Sequence, residues 1–104
     1  KVERRALNSN IEFNLTLDYV ISILDIQKHK CALSNIDITF TTNHNKFSDT
    51  TASIDRIDNS KGYIEGNIQW VHKDINFMKG QLDQDKFIYY CKLIGLNNDS
   101  RNNL

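Results

Sequence analysis

Neither sign of charge prevails in this chain: thirteen Lys and Arg stand against thirteen Asp and Glu over 104 residues. That balance counts mildly against a module that holds nucleic acid by bulk positive charge, and it leaves open a site that works through a metal. Cysteine is scarce. Cys31 and Cys91 are the only two and lie far apart, so a reduced, cytoplasmic protein is the expectation. The sequence has no secretory signal and no apolar run long enough to cross a bilayer, so no membrane partner is expected. It has no internal repeat and no low-complexity tract. What remains is length enough for one small domain with a single core.

The chain begins at Lys1 with no initiating Met, and both ends, KVERRALNSN and LNNDSRNNL, are polar. We therefore expect a piece of a longer protein, with a tail or linker at 1–12, a domain at 13–95 and a second tail at 96–104. Within the domain, FNLTLDYVISILDIQKHK places Phe13, Leu17, Val20, Ile21 and Leu24 at helical spacing, which predicts a helix over about 15–28 capped by Asn14 or Thr16. CALSNIDITF reads as a short hairpin turning at Ser34-Asn35-Ile36, where Asn tolerates positive φ. TFTTNHNKFSDTT reads as a loop. ASIDRI and NIQWV alternate with period two and predict strands joined by DNSKGYIEG. HKDINFMKG turns helical and stops at Gly80. A last helix starts at the cap Asp83 and ends at Gly95, with Phe87, Ile88, Cys91 and Ile94 inward.

The segment SIDRIDNSKGYIEGNIQWVHKDINFMK concentrates the chemistry. Asp55 lies on the first strand. His72 and Asn76 differ by four, which on a helix puts them on one face about a turn apart. If that face meets the strand, a carboxylate, an imidazole and an amide oxygen converge. Such a set suits Mg²⁺ or Mn²⁺ better than a thiolate-loving ion. Each residue alone has a plainer reading. Asp55-Arg56 serves as a surface ion pair, Asn76 hydrogen-bonds a loop, and His72 caps a helix. All three in register within one short unit favour the site.

DRIDNSKGYIEGNIQWVHKDINFMK resembles the core of the HNH endonucleases, the ββα-metal nucleases. The closest likeness is to the phage and bacterial branch that carries Asp-Arg in place of Asp-His. The upstream KCALSNIDITF is similar to the segment that precedes that core, and the likeness covers about residues 13–94. The resemblance implies an α+β fold, with a ββα-metal core at 52–80 flanked by an N-terminal and a C-terminal helix. It implies hydrolysis of DNA phosphodiester bonds with one divalent ion, Mg²⁺ or Mn²⁺. Asp55, His72 and Asn76 are then the metal ligands, and Asn67 ties the loop between the strands to the backbone. Arg56, Lys61 and Lys79 would face nucleic acid. Asp58 and Tyr63, in the same turn, would either touch DNA or serve structure.

Two departures from the family pattern carry consequences. Its usual general base is a His directly after the strand Asp, and Arg56 stands there. Arginine stays protonated and takes no proton, but it clamps phosphate well. Either the base is His72 or another group, a metal-bound water ionises unaided, or the domain is a decayed nuclease that binds DNA or acts as a scaffold. Family members with structural zinc carry two Cys-x-x-Cys pairs, whereas Ser34 stands at the partner position of Cys31 here and the second pair is missing near Val71 to Ile75. No structural zinc is expected, and both cysteines are expected to be buried as small hydrophobes.

Overall fold

The computed structural model of this chain describes residues 13–40 and 50–99. Its centre is an antiparallel pair of five-residue strands, β2 (Ala52–Arg56) and β4 (Ile68–His72). Their register runs from Ala52 opposite His72 to Arg56 opposite Ile68. Alternation along a strand gives this ladder two faces. Ile54, Ile68 and Trp70 project from one, and Ser53, Asp55, Gln69 and Val71 from the other.

Helix α1 (Leu17–Ile26) covers the first face. Thr16 caps it by accepting from the Tyr19 N–H at 3.2 Å. Val20 and Leu24 are buried beside Cys31, Ile38, Tyr63, Ile68, Trp70 and Val71. Trp70 sends its Nε1–H to the Val20 carbonyl at 2.9 Å, which satisfies the indole inside the core. Two left-handed residues, Lys28 and His29, follow the helix, and its C-cap Gln27 reaches β4. Gln27 accepts from the Trp70 N–H at 2.9 Å and donates to the Trp70 carbonyl at 2.9 Å. One amide side chain thus closes the strand edge as a neighbouring strand would.

Helix α2 (Lys73–Lys79) follows β4 directly and lies on the second face. Gly80 ends it at φ 54°, a conformation that favours glycine. Two-residue strands β1 (Phe13–Asn14) and β3 (Tyr63–Ile64) pair in parallel as a second small sheet. The long turn between β2 and β4 therefore contains a strand, in which Tyr63 is largely buried. Helix α3 (Gln84–Asn97) is capped by Asp83, whose carboxylate accepts from the Lys86 N–H. The described residues form a small α+β domain of three helices and two small sheets. None of its described helices is long and apolar enough to cross a membrane.

Four local expectations are revised. The first helix spans 17–26 rather than 15–28, because left-handed residues stop it at its C-terminal end. Residues 31–40 form no strand pair. One bridge joins Lys30 to Asp37 across the loop, with Asn35 at φ 65°. Gly95 does not end α3, which runs through it to Asn97, so residues 96–97 belong to the helix and not to a tail. Of its proposed inward residues, Phe87 is buried, whereas Ile94 is 64% exposed and Cys91 is also exposed. The reason is that α3 touches the body mainly through its first turns. The tails at 1–12 and 100–104 and most of the loop expected at 39–51 lie outside the described residues.

Candidate functional site

The turn between β2 and β4 is held from within. Asn67 is buried and accepts from the Asp58 N–H at 2.9 Å, while its amide donates to the carbonyls of Asp58 and Gly62 at 3.1 and 2.9 Å. Arg56 Nη1 donates to the carbonyls of Asn59 and Lys61 at 3.1 and 3.0 Å, and its guanidinium lies 5.3 Å from the Tyr63 ring centroid. Asn59 Nδ2 reaches the carbonyls of Gln81 and Leu82, both at 2.9 Å, and so ties the turn to the link between α2 and α3.

Asp58 accepts from both the hydroxyl and the N–H of Ser60, at 2.6 and 2.9 Å. These bonds, the hydroxyl's first, hold its carboxyl below the usual carboxylate range. A depressed carboxylate stabilises the fold above its unfolded pKa of ~3.9, and that contribution is lost as pH falls through the lower folded value. Ser60→Ala is expected to move the Asp58 midpoint up toward the ordinary Asp value in an NMR titration. An unmoved midpoint would contradict this account.

The second face of the ladder carries the buried polar groups. Asp55 Oδ2 accepts from Lys79 Nζ at 2.5 Å and from Gln69 Nε2 at 2.9 Å. The same Nζ reaches the Arg56 carbonyl at 2.9 Å and Gln84 Oε1 at 3.3 Å, and Gln69 also donates to Gln84 at 2.7 Å. The Lys79 side chain is wholly buried. Lys79 is therefore not a phosphate contact, which corrects the role given to it above. An ammonium packed against a carboxylate inside the fold is unavailable to a ligand. Lys61, by contrast, is exposed on the turn.

Beside this network a cleft of about 430 Å³ opens between β2 and α2. Asp55, Arg56, Asn59, Lys73, Asn76 and Phe77 are among the residues that line it. Asn76 donates from Nδ2 to Ser53 Oγ at 2.7 Å, on the same ladder face as Asp55. Among the described residues no hydrogen bond reaches Asp55 Oδ1 or Asn76 Oδ1. The structure thus brings Asp55 and Asn76 to one cavity and puts Arg56 in its wall.

His72 does not join them. It is the last residue of β4 and the N-cap of α2, with φ −63° and ψ 138°, and its Nδ1 accepts from the Asp74 N–H at 3.1 Å. Being extended, it shares no helical face with Asn76. It lies three residues from the Gln69 that pairs with Asp55, about 10 Å along the strand and on the opposite face. The plainer reading of His72, as a cap, is the one its geometry supports. Neither a ligand nor a base role at this cleft fits it.

A divalent ion must then be tested against two oxygens rather than three donors. Among the described residues, no three His, Cys, Asp or Glu side chains cluster where an ion would sit. Asp55 Oδ1 and Asn76 Oδ1 fit a hard cation of the Mg²⁺ type, which binds through one or two protein groups and keeps waters and phosphate oxygens. They do not fit a closed tetrahedral zinc site. Lys79 sets a further condition. Paired with Asp55 it cancels that carboxylate's charge, and Arg56 and Lys73 leave the cleft net positive, so a cation is attracted weakly until a phosphodiester adds its own negative charge.

Cys31 is buried, as expected, while Cys91 is not. Burial pushes the Cys31 thiol up, but hydrogen bonds from Ser34 and from the backbone of His72, Ser34 and Leu33 together bring it below the usual thiol value. Gln27, Gln69 and Gln84 were missed by sequence reasoning. A lone Gln carries no periodic or motif signal, and only long-range contact shows what it does. No family model matches this chain, and neither a curated protein nor a solved structure matches it.

Proposed function

We propose that this domain hydrolyses phosphodiester bonds in DNA, with the cleft between β2 and α2 as the site and an HNH-like ββα unit as its frame. The observation that supports this is the presence of Asp55 and Asn76, from two elements, on one polar cleft with the cations Arg56 and Lys73. Asp55 and Asn76 would hold Mg²⁺ or Mn²⁺, which when bound would supply Lewis-acid polarisation of the phosphate and charge stabilisation of the leaving oxygen. Gln69 and Lys79 fix the Asp55 carboxylate so that Oδ1 is the atom left for that role. Lys73 is exposed at the cleft and binds phosphate oxygens. Arg56 adds positive field while its Nη1 keeps the turn in place, and it takes no proton.

A second reading is favoured by one observation, the Lys79–Asp55 pair. An ammonium already compensates the only carboxylate that lines the cleft among the described residues, as it would in a decayed site kept for binding or scaffolding. Incubation of supercoiled plasmid with Mg²⁺, with Mn²⁺ and with EDTA separates the two. Hydrolysis predicts nicked or linear product with metal and none with EDTA. Retention of plasmid by the protein with no cleavage under any metal supports the decayed site.

A further inference from the structure

Phe77 follows Asn76 on α2 and is 86% exposed, the highest value among the large apolar side chains of the described residues. Single exposed apolar residues are ordinary and mean little by themselves. Position distinguishes this one. Phe77 lines the polar cleft, and Lys73 lines it too, one helical turn earlier. Residues four apart on a helix are neighbours, so an ammonium and an aromatic face stand side by side at the mouth. Asn76 sits between them in sequence and lies deeper, bonded to Ser53. Phe77 makes no ring contact with another aromatic of the described residues, whereas Phe13, Phe40 and Tyr89 each do.

We propose that Phe77 and Lys73 form a nucleotide platform that takes an unpaired base, with Phe77 stacking on the base and Lys73 meeting the adjoining phosphate. The substrate class is therefore single-stranded DNA, or a strand locally opened. In a duplex both faces of each base are covered by its neighbours, so an exposed ring has nothing to stack on. In a single strand every base has a free π-face, and stacking on an aromatic side chain tolerates any sequence. The cleft volume is in the range of small-ligand sites and admits one nucleotide. With no net charge on the chain, affinity depends on such local contacts rather than on bulk attraction. This rests on the nucleic-acid reading above, though not on cleavage.

The test is binding in EDTA, where nothing is cut. Anisotropy of a labelled oligothymidylate and of a duplex of equal length is measured for the wild type and three variants across a salt series. Phe77→Ala is expected to weaken the single strand roughly 5- to 150-fold, the range set by one stacked base, and to leave the duplex unchanged. Phe77→Trp should retain tight binding. Lys73→Ala should flatten the logarithmic salt dependence for the single strand by about 0.7, the value for one phosphate contact. Three results overturn the proposal. They are equal single-strand affinity for Phe77→Ala and wild type, an equal loss for strand and duplex, and no strand binding by the wild type. Cleavage in Mn²⁺ is scored separately. A protein that binds as expected but cuts nothing keeps the platform and loses the hydrolytic reading. One that cuts duplex while Phe77→Ala binds strand normally keeps hydrolysis and loses the platform.

Discussion

Lys79→Met is expected to lower folding stability by roughly 3–5 kcal/mol. That is the usual cost of removing one partner from a buried ion pair and leaving the other uncompensated. The Lys79 side chain has no exposed surface, and the Asp55 side chain is 7% exposed. Methionine keeps most of the lysine's volume, so the effect isolates charge rather than a cavity. The loss is amplified because Nζ also serves the Arg56 carbonyl and Gln84. Through these contacts one ammonium joins α2 to β2 and to the first turn of α3. The double variant Asp55→Asn/Lys79→Met contains no buried charge and should recover much of the loss, giving a non-additive cycle. Urea unfolding of the wild type, the two single variants and the double variant, with slopes compared, measures this. A single-variant loss below about 1 kcal/mol would show that the pair is not buried as described.

If the domain hydrolyses DNA as proposed, Asn76→Ala is expected to reduce metal-dependent cleavage by roughly 100-fold, since changes merely behind a metal ligand already cost 10–100-fold in metal affinity or activity. Its cost to the fold should be small. Among the described residues Asn76 makes one side-chain hydrogen bond, to Ser53, worth about 1 kcal/mol. Asn76→Asp supplies a charged oxygen at the same place and should bind Mn²⁺ more tightly than the wild type. Because Lys79 neutralises Asp55, that gain should be largest when no DNA is present. Cleavage rates are read against thermal melts of the same samples. Wild-type cleavage by Asn76→Ala with the same metal requirement would move the chemistry out of this cleft. His72→Ala gives the internal contrast. It removes a helix cap worth about 1 kcal/mol and, at equal folded fraction, should leave the rate unchanged.

Local pattern was enough for the elements. Period-two alternation marked β2 and β4. Asp83 announced α3 by its cap, Gly80 marked the end of α2, and Asn35 marked a left-handed turn. These features depend on a residue and its near neighbours, which a sequence states directly. The structure brings Asp55 and Asn76 to one cleft, but the helical spacing that tied Asn76 to His72 does not hold, because His72 ends the strand. Partnership across the fold was decided elsewhere. His72 moved out of the site because the strand ran on to include it, and one residue's difference in where a helix starts changes the face a side chain meets. Lys79 changed from a surface cation to a buried one because Asp55, 24 residues earlier, waits beneath it. Gln27 serves a strand edge 43 residues away. A charge or amide has the same composition signal in water or in a core. Its environment is set by what packs over it, and only the assembled chain supplies that.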